Sequence, residues 1–292
     1  MIDDASALAA PDNTMALSPW WQTYDVPIDH MAHWTIGALS LWVMRTDREW
    51  RVGHQAGQDP LADANTFEDP LPSSEAAFDW AEPAKHTVHR YSMEATHPAC
   101  ALKPQLADRP VVIRPEHPIS VISGETVTLF VSTPLWVQLT VHEDDVQLLQ
   151  MPTMRPSDTW VGTNTRQGEL CYASRTTGRL HLHDVPLRPH RAITPLRIRN
   201  RAPATLLLER VQVPTSHLAL YENEAHALWT QTLRLDRSPD HLSSSTPAAQ
   251  VHVQPGPPRE AGASNRLVDP RETTKRNLFI STFSAVGSLF GH

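Results

Sequence analysis

At 292 residues, with 40% hydrophobic and 20% charged residues, the chain is long enough to bury a sizeable core in one large or two ordinary domains. Its 26 prolines argue against long helices, because each ring removes an amide donor and clashes with the preceding turn. A formal charge of −7 disfavours non-specific attraction to nucleic acid or anionic lipid.

In chain order, residues 1–19 read as a flexible tail, small, polar and interrupted by Pro11 and Pro19. This acidic start has no basic n-region and no long apolar run, so it does not read as a secretory signal; with only Cys100 and Cys171 present, free thiols in a cytoplasmic protein are the expectation. Residues 33–45 (HWTIGALSLWVMR) alternate apolar and polar positions with a slip at Gly37, which predicts one or two strands with a bend there. EWRVGH (49–54) follows after Thr46–Asp47–Arg48, a link short enough for a hairpin. Residues 55–83 turn acidic and proline-rich and read as a surface loop or insertion, with Ser74 placed to cap a helical turn anchored by Phe78. Strand character returns at 86–93.

From Arg109 to Leu235 one short apolar strand pattern follows another: 111–114, 119–122, 126–132, 135–142 and 146–151, then 179–185, 193–199, 205–213, 218–221 and 228–235. In LWVQLTVH the inward set is Leu135, Val137, Leu139 and Val141 with Trp136 and Gln138 outward, or the reverse. LRIR and TLRL alternate strictly, as half-buried strands of antiparallel sheets with one wet face do. Between the two runs lies a different segment, 156–179 (PSDTWVGTNTRQGELCYASRTTGR), polar with aromatic insertions and read as a loop. Residues 255–274, with Pro255, Pro257, Pro258 and Pro270, read as a linker. In 275–292, Phe279, Phe283, Val286 and Phe290 would share one face of a short amphipathic helix, too short to span a bilayer. No repeat recurs at a fixed period. The expected fold is therefore all-β, an antiparallel β-sandwich or jelly roll over residues 20–254, with a short C-terminal amphipathic helix.

Three stretches, IGALSLWVMRTDREWRVG, SDTWVGTNTRQGELCYASRT and PLRIRNRAPATLLLERVQVPTSHLALY, resemble the prokaryotic domain-of-unknown-function family 432 over roughly residues 34–235. The resemblance implies a single β-rich domain and carries no activity with it. The acidic insertion at 55–83 and the long C-terminal linker are where departure from the family is expected.

Two places invite chemistry. The 156–179 segment gathers Asp158, Trp160, Arg166, Glu169 and Tyr172 beside Cys171, Gly162 and Gly168; aromatics with an Arg and two acids suit a polar-ligand site, whereas the plainer explanation is a crossover loop whose Trp and Tyr plug one end of the sandwich. His181 and His183, two apart on an expected strand, would point to one face and offer a ligand pair for a divalent transition metal, as in cupin-like enzymes; the DVPLRPH that follows lacks the expected Glu, and an outward His face is the plainer reading. Cys171 reads as a small core residue rather than a nucleophile. No GxSxG, P-loop, GxGxxG or HExxH motif is present. The balance favours a non-enzymatic binding or interaction module without a cofactor, using the 156–179 loop and an outward face rich in arginine (Arg188, Arg191, Arg197, Arg199, Arg201) towards a protein or a small polar ligand. The alternatives are the His181/His183 metalloenzyme and a membrane-associated accessory protein held by the C-terminal helix. That helix is better suited to docking or homo-oligomer contact than to a membrane, because its opposite face is Ser, Thr and Gly rather than charged.

Overall fold

A computed structural model describes residues 18–57, 59, 62–76, 78, 80, 87–115, 117–142, 145–154, 156–162, 166, 168–176, 178–237, 249–272 and 278–280. Strands dominate these residues and helix is confined to single 3-10 turns, so the chain is all-β. The strands form sheets of five, four, eight, four and two members.

The five-stranded sheet runs Asn65–Pro72, His30–Ile36, Leu39–Arg45, Glu49–Ala56, Thr87–Ser92, antiparallel throughout. Its central hairpin turns on Gly37 and Ala38, and Gly37 takes φ +59, the positive value a two-residue hairpin turn needs at its first central position. Alternation then sends Trp34, Ile36, Leu41, Val43, Trp50 and Val52 into the core. Phe78 and Trp80 pack with Met31, Met44 and Trp42 on the sheet's other face. Phe78 reaches that face because Gly53 has no side chain; a Cβ there would lie 2.5 Å from the ring. Phe78 is thus an anchor as expected. Within residues 55–83, however, Asn65–Pro72 is a paired edge strand rather than loop, and Ser73–Glu75 is a turn rather than the start of a helix. An edge position tolerates the acids and prolines that disguised the strand.

A four-stranded sheet follows in the order Thr23–Asp25, Ala99–Gln105, Trp136–Val141, Val146–Pro152. Leu135, Val137, Leu139 and Val141 point into the core as expected, yet Trp136 is also buried, because a neighbouring sheet covers it. A second four-stranded sheet runs Ser157–Gly162, Gly168–Thr176, Val111–Pro115, Val211–Val213. The expected loop at 156–179 is therefore largely a β-hairpin, Ser157–Gly162 paired with Gly168–Thr176. Thr205–Val213 divides into Leu206–Leu208, paired with Ile119–Val121, and Val211–Val213.

The eight-stranded sheet runs Ser264–Val268, Leu220–Asn223, Leu228–Thr230, Arg191–Asn200, Leu233–Arg237, Ala249–Val253, Leu278–Ile280, with Thr126–Pro134 also on Arg191–Asn200. Residues 255–272, which composition reads as linker, thus supply a paired edge strand. Residues 278–280 are strand, so the expected C-terminal helix is not shown; the rest of 275–292 lies outside the described residues, as do residues 1–17 of the expected tail. Most pairings are antiparallel, but Gly168–Thr176 runs parallel to Val111–Pro115, and Arg191–Asn200 runs parallel to Leu228–Thr230 and Leu233–Arg237. Leu196 and Ile198 are buried and Arg197 and Arg199 exposed, as the alternation requires. Arg191 departs from the expected exposed arginine face: it is buried, and its guanidinium donates to the Ser132 hydroxyl and carbonyl. One cluster of buried apolar side chains draws on all five sheets.

Candidate functional site

The hairpin Ser157–Gly162/Gly168–Thr176 alternates its side chains between two faces, and the register assigns them. Asp158 stands opposite Tyr172 and Trp160 opposite Leu170, so these four share one face. Val161 stands opposite Glu169 and Thr159 opposite Cys171, so these share the other. The second face is packed: Val161, Cys171 and Val112 form a small apolar cluster. Burial, with the Glu169 carboxylate nearby, pushes the Cys171 thiol up to about 12, and its S–H faces the Glu169 carbonyl at 3.7 Å. A thiol held that way is a core residue rather than a nucleophile.

The first face is open. Trp160 keeps 47% of its surface exposed and Leu170 42%. The indole is not loose, however. A Cβ on Gly168, its diagonal cross-strand neighbour, would lie 2.7 Å from both Cε2 and Nε1, so the ring rests against the glycine backbone. An aromatic exposed to solvent yet fixed in direction has little rotamer freedom left to lose on contact with a ligand.

Polar groups converge beside it. Tyr172 donates its hydroxyl to Asp108 Oδ1 at 3.0 Å, and Arg109 Nη1 donates to Asp158 Oδ1 at 3.4 Å. The Arg109 guanidinium lies 5.3 Å above the Tyr172 ring, and that ring meets Trp136 at 5.4 Å between centroids. Burial raises the Tyr172 phenol above its ordinary range, and the hydrogen bond to Asp108 adds to the rise. Arg271 closes one side: Nε and Nη2 donate to the Leu106 carbonyl and Nη1 to Gln150 Oε1, while burial holds its guanidinium below the usual value. Past Trp136 the surface continues in amides, Gln105 donating to Gln138 at 2.7 Å and Gln138 to Gln147 at 2.8 Å. The Arg109 backbone is fixed separately, its carbonyl accepting from the Thr215 hydroxyl at 2.7 Å.

Of the residues singled out from sequence, Asp158, Trp160 and Tyr172 come together. Glu169 does not: it lies on the opposite face, where Gln212 donates to it at 2.9 Å. Arg166 is exposed in the connection between the two strands, whose other residues lie outside the described set. The sequence reading missed Asp108, Arg109, Trp136, Gln150 and Arg271. Asp108 and Arg109 reach the site because Gly168–Thr176 pairs in parallel with Val111–Pro115, with the Tyr172 amide donating to the Pro110 carbonyl; no local pattern signals such a pairing.

The His181/His183 pair is not on a strand. Leu182–Asp184 is a 3-10 turn, and the two imidazoles stack on each other at 5.4 Å, both exposed, with His183 Nε2 3.4 Å from Asp184. Pro186 and Pro189 leave that stretch few amides for a ladder, which favours the turn. His190, close in sequence to the pair, is buried against Gly37, with Nδ1 3.9 Å from Asp63. Among the described residues, no group of three or more His, Cys, Asp or Glu is placed to hold a metal ion, and no helix is long and apolar enough to cross a membrane.

A family model described as "Protein of unknown function (DUF432)" matches residues 20–287, which reaches beyond the 34–235 of the resemblance at both ends and takes in the acidic insertion. No curated protein and no solved structure matches the chain.

Proposed function

The chain belongs to the DUF432 family, a membership that fixes no activity, and we propose from the site's geometry that it is a non-catalytic binding module. Its binding surface is the open face of the hairpin, with Trp160 as the apolar contact and Asp158, Tyr172, Asp108 and Arg109 as the polar ones. The observation that carries this reading is Trp160, half exposed and yet pinned by Gly168. A tryptophan whose only task was to seal the end of a sandwich would gain by being covered. The charged groups are engaged with one another and with the Tyr172 hydroxyl at the surface, an arrangement suited to recognition.

The test is a ligand screen by saturation-transfer-difference NMR, run in parallel on the full chain and on Trp160→Ala. The screen holds neutral oligosaccharides, uronic-acid oligosaccharides, extended peptides and nucleotides. At least one class is expected to give transfer that the variant loses. Transfer equal in both proteins for every class that binds, or from no class at all, overturns the reading.

A further inference from the structure

Taking that face as the binding surface, we propose that its ligand is a neutral oligosaccharide. A pyranose ring presents two chemistries at right angles, an apolar face of C–H groups and an equatorial rim of hydroxyls that donate and accept together. Trp160 and its cross-strand partner Leu170 give the apolar floor. Two residues along the strand, about 6.7 Å away, Asp158 and Arg109 sit side by side, an acceptor and a donor within reach of the rim of a ring stacked on the indole.

The charges select against the competitors. Asp108 and Asp158 balance Arg109 and Arg271, so the face offers a uronate, a phosphate or a cation no net attraction over a neutral ligand, which has less hydration to give up on contact. Single-stranded nucleic acid, which also stacks on exposed aromatics, needs a basic track along its backbone that this face does not offer. The surface beyond Trp136 carries amides beside the Lys103–Asp145 ion pair, whose opposite charges cancel: Gln138 and Gln150 each carry both a donor and an acceptor, the pairing a hydroxyl needs. That continuation gives further sugar rings a place to lie and makes the ligand an oligosaccharide rather than a single sugar.

The rival occupant is a peptide added to Ser157–Gly162, the outermost strand of its sheet. It would use the strand's backbone edge and owe little to the indole, the acid–arginine pair or the glutamines.

Isothermal titration of the full chain with glucose-, galactose- and mannose-based neutral oligomers, their uronic-acid counterparts and a strand-forming peptide decides between them. At least one neutral series is expected to bind, more tightly as the oligomer lengthens, and more tightly than its uronate. Trp160→Ala is expected to lose about tenfold or more in affinity, a loss of about 1.4 kcal/mol, and Asp158→Asn several-fold. Thermal unfolding of Asp158→Asn is expected to be unchanged because its side chain is exposed, and Trp160→Ala to unfold cooperatively at a somewhat lower temperature because its ring is half buried. Gly168→Ala, which moves the indole without deleting it, is expected to weaken binding as well. Absence of binding by every neutral oligomer, or binding that survives Trp160→Ala, overturns the proposal. Trp160-dependent binding of the peptide alone also overturns it, but leaves the surface itself standing as a binding site.

Discussion

The indole of Trp160 rests against Gly168: a Cβ at that glycine would lie 2.7 Å from the ring and 2.6 Å from the Val161 carbonyl oxygen. Alanine at 168 cannot be absorbed by a rotamer change alone, because one of the two obstacles is backbone. Gly168→Ala is expected to lower stability by about 1–3 kcal/mol, in the range of overpacking at a close approach. Urea unfolding of the two proteins checks it, and a loss far below this range would mean that the indole does not rest where the structure places it.

The two faces of the same hairpin separate binding from stability. Glu169 accepts from Gln212, whose amide is buried and, among the described residues, otherwise meets only the Cys171 sulfur. Glu169→Ala is expected to cost about 1–3 kcal/mol by leaving that donor unsatisfied and to leave ligand affinity unchanged. Asp158→Ala is expected to do the opposite, since its ion pair with Arg109 is exposed and contributes little to stability. Denaturation and titration of the two variants side by side read both effects.

Gly37 tests a second close approach. It combines φ +59 with a Cβ position 2.8 Å from the His190 ring, so Gly37→Ala adds left-handed strain to a clash with a buried imidazole. The expected loss is about 2 kcal/mol or more, and Gly37→Ala combined with His190→Ala is expected to recover part of it because the clash is relieved. Full additivity in that double-mutant cycle would contradict the contact.

His190 also sets a pH dependence. Burial, with Arg191 and Arg188 nearby, pushes its pKa down to about 4, against a reference value of about 6.5. The folded state therefore binds fewer protons than the unfolded chain between these values. Stability is full above about pH 6.5 and falls as pH drops towards 4, by about 3 kcal/mol at most from this group. His54, lowered by burial and by the neighbouring His89, acts in the same direction. Midpoints of urea unfolding across that range should fall less steeply for His190→Leu than for the unaltered chain; parallel slopes would contradict the assignment.

Local strand pairs were legible in the sequence because side-chain period and turn chemistry agree there, as in His30–Ile36 and Leu39–Arg45 about Gly37. Strands whose composition mimics loop were not. Ala99–Gln105 carries Lys103 and Pro104 yet lies inside a sheet, Asn65–Pro72 holds the acids and prolines that an edge position tolerates, and Ser264–Val268, also at an edge, lies in a proline-rich stretch that reads as linker. In the site, reading 156–179 as one loop gathered Asp158, Trp160 and Tyr172 but also took in Glu169, which strand alternation places on the face opposite to Tyr172. Asp108, Arg109 and Arg271 could not be found that way. A parallel pairing brings in the first two, and a guanidinium reaching the Leu106 carbonyl brings in the third.

The central claim is that Trp160 is the contact point of a binding surface, and its own indole N–H reports on it. The chain has nine tryptophans, so the indole region of a nitrogen–proton correlation spectrum is sparse, and the Trp160 signal is the one missing from Trp160→Ala. Titrating in a neutral oligosaccharide that binds should move this signal and leave those of the fully buried Trp34 and Trp50 in place. A ligand that binds the chain while the Trp160 signal stays still would contradict the account.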